Sequence, residues 1–173
     1  MTPSGNGRSC DSQTITSSGT RKILGIDPGA SGGLARVDFD FGLGKITGVL
    51  AQKMPETEAD IWAMVNALAS TAHLAVIEAV HAMPGQGVTS MFSFGRNYGF
   101  LRGCLIASKL PVLEVSPARW LKGIGIQSKA DKNAHKALAQ QYFRDLTITH
   151  ATADALLIGL WGAMQAEVFG RDV

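Results

Sequence analysis

The chain has 173 residues, of which 46% are hydrophobic and 17% charged, with a formal net charge of +2. That balance suits a single compact core and excludes a disordered or fibrous polypeptide. No apolar run reaches the length needed to cross a bilayer, because the best candidate, residues 155–168, is interrupted by Gly159, Gly162 and Gln165 and reads as a buried helix.

Residues 1–20 are dominated by Ser, Thr and Gly without an apolar period, which predicts a flexible tail ahead of one domain over residues 21–173. A transit peptide is the competing reading of this acid-poor stretch. Against it, Arg8 is the one basic residue before Arg21 and no amphipathic face is present. Cys10 and Cys104 offer neither a metal-site spacing nor a disulfide framework, so a reducing, cytoplasmic setting is expected.

Residues 22–27 form a short apolar run that stops at Asp27-Pro28-Gly29, the pattern of a buried strand ending in a turn. Residues 34–40 and 45–51 read as two further strands joined by Gly42-Leu43-Gly44. Helical spacing through Ile61, Met64, Val65 and Leu68 follows over residues 55–70, with Asp60 early, where a carboxylate suits the helix dipole. Residues 74–79 are a buried strand closed by Glu78 and a loop rich in Gly and Pro. Residues 89–110 read as one long helix whose glycines at 95, 99 and 103 leave a smooth stripe for a close neighbour.

Residues 111–115 are a strand, and Ser116-Pro117 is a helix start, since Ser caps free amides and Pro suits the first helical position. A basic helix over 129–143 and an apolar one over 152–169 complete the chain. The order βββαβαβαα predicts a mixed sheet covered by helices.

Charge is unevenly placed. Residues 96–144 hold nine Lys/Arg against Glu114 and Asp131, a net +7 that leaves −5 for the remainder of a +2 chain. Such asymmetry is expected where one region faces phosphates, although a basic run is also a common solvated face.

Three carboxylates stand among residues that belong in a core. Asp27 ends the first strand, Glu78 ends the fourth, and Asp154 lies near the start of the last helix in Ala153-Asp154-Ala155-Leu156. Buried unpaired carboxylates cost several kcal/mol each and repel one another, and a divalent cation relieves both penalties. Oxygen-only donors suit Mg²⁺ or Mn²⁺. Two such ions roughly 3.5 to 4 Å apart would activate a water and stabilise a leaving 3′ oxygen in phosphodiester displacement. Singly, each acid has a plainer reading: a turn residue for Asp27, a partner of a core cation for Glu78, a helix-start carboxylate for Asp154.

Ile23-Leu24-Gly25-Ile26-Asp27-Pro28-Gly29, Val76-Ile77-Glu78 and Ala153-Asp154-Ala155-Leu156 resemble the active-site segments of RuvC-type Holliday junction resolvases, in particular the smaller phage and prophage proteins of that kind. The likeness covers roughly residues 21 to 169 and is supported by Met83-Pro84-Gly85-Gln86-Gly87, Phe94-Gly95-Arg96 and the segment from Ser116 to Lys122. It implies an RNase H-like α/β fold, with a mixed five-stranded sheet of three antiparallel strands followed by parallel ones, flanked by helices.

The resemblance further implies a Mg²⁺-dependent endonuclease, with Mn²⁺ as a substitute, acting as a homodimer in a bacterial or phage-infected cell. It would nick four-way DNA junctions in pairs to leave 5′-phosphate and 3′-hydroxyl ends. The family uses two acids on the last helix, whereas here Ala151 stands one turn before Asp154. His150, four residues before Asp154, is the candidate fourth ligand or proton carrier, with a helix-border residue as its other reading.

An aromatic wedge is implied shortly after the Glu, and His81 stands near that position as a candidate to stack on a base or as an ordinary loop residue. Lys122 and Lys132 resemble the phosphate-contacting lysines of the family, and Lys129, Arg96 and Arg119 are weaker candidates for DNA contact. Trp120, between Arg119 and Lys122, reads as core rather than as a stacking platform.

Two enzyme alternatives and one binding alternative compete. A sugar kinase or actin-like ATPase also begins with Gly-Ile-Asp and a glycine-rich turn, but needs two duplicated domains, and residues 80–173 do not repeat the first motif, so no nucleotide cofactor is expected. A nuclease for flaps, forks or RNA–DNA hybrids would carry the same acids. A noncatalytic DNA-binding module is kept open by the missing fourth acid.

Overall fold

The computed structural model describes residues 19–79, 87–127 and 131–169, the last four by their backbone alone. The expected tail, His81, the segment Met83 to Gln86 and Lys129 therefore lie outside the described residues.

Five strands form one sheet in the order β3-β2-β1-β4-β5. Strand β1 (Thr20–Asp27) pairs antiparallel with β2 (Gly33–Asp40), which pairs antiparallel with β3 (Lys45–Lys53). On its other side β1 pairs parallel with β4 (Leu74–Glu78), and β4 pairs parallel with β5 (Val112–Val115). The expected mixed sheet is present.

Alternation along the two central strands divides the core. Ile23 and Val76 pack with Ala35 and Val37 on one face, and Leu24, Ile26, Ala75 and Ile77 on the other. The second face is covered by α1 (Glu58–Ala69) and α2 (Val88–Ala107) through Ile61, Val65, Leu101 and Leu105. Thr57 caps α1 by accepting from the Asp60 amide, 3.1 Å away, so the Thr57–Asp60 turn sets where this helix begins.

Three helices follow β5, where two were expected. The Ser116-Pro117 start opens a separate short helix, α3 (Pro117–Gly123), which ends before Gly125 takes a φ of 79° that favours glycine. Ser116 occupies the cap position without a side-chain hydrogen bond, so Pro117 carries the start signal. Helix α4 (Lys132–Tyr142) is capped by Asp131, whose carboxylate accepts from the Ala134 amide at 2.9 Å.

Helix α5 (His150–Phe169) begins two residues earlier than expected. Its middle is apolar on every side because it is enclosed there: Leu156, Leu157, Ile158, Leu160 and Trp161 are all buried between the sheet and α3 and α4. Its seat on β1 depends on two glycines. A Cβ at Gly25 would collide with the backbone of Ala155 and Gly159, and one at Gly159 would come within 3.0 Å of Val37. Backbone therefore rests on backbone where α5 crosses β1.

Glycines 95, 99 and 103 behave otherwise than close packing within the chain would require. A Cβ at any of them would meet nothing within 4 Å, so the stripe faces outward.

Candidate active site

Strand polarity brings the first two carboxylates together. The parallel register pairs Ile26 with Ile77, so Asp27 and Glu78 follow one rung later at the same sheet edge. Side-chain alternation turns both toward α5, since Ile23 and Val76 lie on that face. Asp154 is the fifth residue of α5, one position before the Ala155–Gly25 crossing, and so arrives above the end of β1. It stands beyond the first helical turn, which removes the helix-start reading.

The three acids share one electrostatic neighbourhood. Burial raises the Asp27 carboxyl above its ordinary range, and the negative charge of Asp154 adds to that rise. Glu78 is pushed from an ordinary 4.5 up to about 7, chiefly by loss of water and further by the charges of Asp27 and Asp154. Lys132, exposed at the first position of α4, opposes the rise at both Asp27 and Glu78.

Hydrogen bonds hold the site from beneath. Asp27 Oδ1 accepts from the Gly29 amide at 3.1 Å, so this residue is also the turn former that the Asp-Pro-Gly spacing predicts. Gly32 sits so close to it that a Cβ would fall 2.5 Å from the Asp27 Cγ. Asn97 of α2 donates to the Pro28 carbonyl at 2.6 Å, tying the same turn to the helix below.

Two partners were not anticipated as site residues. The Trp120 indole N–H donates to Glu78 Oε1 at 2.8 Å, and His135 Nδ1 lies 2.7 Å from Asp154 Oδ1. Trp120 is core, as expected, but core with a polar duty. The one available hint for His135 was a histidine on the buried side of an otherwise basic helix, four residues before the buried Ala139.

Other candidates stand apart. His150 is exposed at the start of α5 and has no hydrogen bond or ion pair among the described residues. Lys122 is exposed on α3. Arg119 lies 5.6 Å over the Trp161 ring, and Arg96 makes a long, solvent-exposed pair with Glu58 at 3.7 Å.

A hard divalent cation suits this donor set: three carboxylates, with Asp27 and Glu78 desolvated by burial and both raised further by the charge of Asp154. Among the described residues no three His, Cys, Asp or Glu groups already converge as a metal cage.

The sheet order and the flanking helices form an α/β fold of RNase H-like type. Among solved structures the chain resembles RuvC of Thermus thermophilus at 15% identity with a TM-score of 0.57, covering 86% of this chain and 96% of that one. It resembles T. thermophilus RuvC in complex with Holliday junction substrate at 16% identity and 0.58, with the same coverage. The fold is therefore RuvC-like. No family model matches the sequence, and no curated protein does.

Proposed function

We propose that this protein is a metal-dependent endonuclease that resolves four-way DNA junctions or other branched DNA by paired nicks. The observation that carries the reading is the meeting of Asp27, Glu78 and Asp154 at one sheet edge in a RuvC-like fold.

Asp27, Glu78 and Asp154 would hold Mg²⁺, or Mn²⁺ in its place, with His150 as the candidate fourth donor. When bound, the cation supplies an activated water and neutralises charge that develops on the scissile phosphate. Lys132 brings positive charge to the same edge and orients the phosphate there, and Lys122 extends that surface along α3. Lys129, Arg96, Arg119 and His81 are the further candidates for DNA contact. The products would be 5′-phosphate and 3′-hydroxyl ends, made in the cytoplasm. Among the described residues no helix is long and apolar enough to cross a membrane.

Paired nicks require two copies of the site, and α2 supports a homodimer. Val88, Phe92 and Ile106 are exposed at 86%, 73% and 65%, and share one helix face with Gly95, Gly99 and Gly103. An apolar stripe of this kind, smooth in its middle, suits a second copy of α2.

Incubating the protein with labelled four-way junction and linear duplex, with and without Mg²⁺, tests the proposal. Symmetric nicks in the junction alone, only with Mg²⁺, are expected; junction binding without any cleavage would favour a noncatalytic DNA-binding module. That second reading draws on Ala151, which stands where a fourth acid would otherwise face Asp154.

A further inference from the structure

We infer that Trp120 and His135 act together as a positioning pair that fixes the Glu78 and Asp154 carboxylates for a divalent cation, an inference that rests on the cation reading above. Each ring places one nitrogen on one acid: the Trp120 N–H donates to Glu78 Oε1 at 2.8 Å, and His135 Nδ1 hydrogen-bonds with Asp154 Oδ1 at 2.7 Å. The rings themselves pack edge-on, with centroids 5.8 Å apart and planes at 75°. Orientation of one carboxylate is thereby coupled to orientation of the other, although the acids come from a strand and a helix 76 positions apart in the chain.

Both rings are immobilised by burial. Trp120 is 1% exposed, within the cluster that also contains Ala139, Phe143 and Leu157, and His135 is 9% exposed. The other ring nitrogen of His135, Nε2, lies away from the Asp154 contact. That Nε2 is a buried side-chain atom without a hydrogen-bond partner among the described residues.

Histidine at position 135 leaves Nε2 without a partner among the described residues, where a phenylalanine would instead leave Asp154 Oδ1 without one. Its return is the Asp154 contact. With Oε1 and Oδ1 committed, Glu78 Oε2 and Asp154 Oδ2 are the oxygens left to a cation. Groups that orient metal ligands in this way commonly change affinity by about 10-fold to 100-fold when removed.

The test compares W120F, H135F, H135N and H135Q with the parent, reading Mn²⁺ affinity by electron paramagnetic resonance, thermal unfolding in EDTA, and the Mg²⁺ dependence of junction cleavage. Asparagine keeps an N–H near the position of Nδ1, whereas glutamine moves it toward Nε2. Expected are Mn²⁺ affinities lower by about 10-fold or more in W120F, H135F and H135Q and substantial recovery in H135N, with thermal unfolding in EDTA verifying that each variant is folded. Parent-like affinity in W120F and H135F, or H135N no better than H135Q, overturns the inference. Should W120F fail to fold, the H135N and H135Q contrast decides alone. A parent protein that binds no Mn²⁺ sinks the cation reading itself, and this inference with it.

Discussion

Asp27 and Glu78 end neighbouring parallel strands one rung beyond the Ile26–Ile77 pair, and both leave the sheet on the face that carries α5. Both lose water there, and the charge of Asp27 further raises the affinity of the Glu78 carboxyl for protons.

Removing the charge of Asp27 separates binding from chemistry. In the Asp27→Asn variant we expect junction cleavage to fall by on the order of a thousandfold or more, while gel-shift affinity for the junction in EDTA stays within a few-fold of the parent. Equal cutting by variant and parent would contradict the assignment of Asp27.

The raised Glu78 carboxyl makes metal-free stability depend on pH in a definite direction. Folded Glu78 keeps its proton up to about 7, whereas the unfolded side chain loses it near 4.5, so the contribution is full below 4.5 and gone by about 7. Denaturant melts in EDTA should therefore show stability falling by about 3 kcal/mol between those limits. Glu78→Gln should flatten that decline, and added Mg²⁺ should offset it at neutral pH. A metal-free protein that gains stability across the same interval would rule out a raised Glu78.

Gly25 tests whether α5 positions the third acid. In Gly25→Ala the new methyl group meets the Ala155 and Gly159 backbone, and neither can retreat without lifting the helix. A loss of about 2 to 4 kcal/mol is expected by urea denaturation, with cleavage impaired even in the folded fraction because Asp154 moves with α5. A variant of parental stability and activity would show that the crossing is not tight.

The outward face of α2 predicts assembly. Phe92→Glu combined with Ile106→Glu places charge at both ends of the glycine stripe. Light scattering is expected to show a dimer for the parent and a monomer for the double variant, with paired nicks replaced by single ones. Both are exposed, at 73% and 65%, so folding should be unaffected. An unchanged dimer would move the interface elsewhere.

Much of the site was legible because its acids interrupt apolar runs. A carboxylate directly after Ile23-Leu24-Gly25-Ile26 or Ala75-Val76-Ile77 is anomalous in a core, and the anomaly survives without any knowledge of tertiary contacts. The Asp27 turn was legible for the same local reason, confirmed by its bond to the Gly29 amide. The glycine stripe was legible only as smoothness. Whether it met the sheet or faced outward depended on which side of α2 carried Leu101 and Leu105, and on what lay beneath.

By itself, the sequence determined where strands and helices run and which acids stand at their ends, because hydrophobic period and turn chemistry act over a few neighbouring residues. Tertiary structure alone decided that Trp120 bonds Glu78 across 42 positions and His135 meets Asp154 across 19. Those bonds depend on how three helices stack against one sheet. An indole or imidazole in the chain carries no mark of the carboxylate it will reach, since packing of the whole core selects that partner.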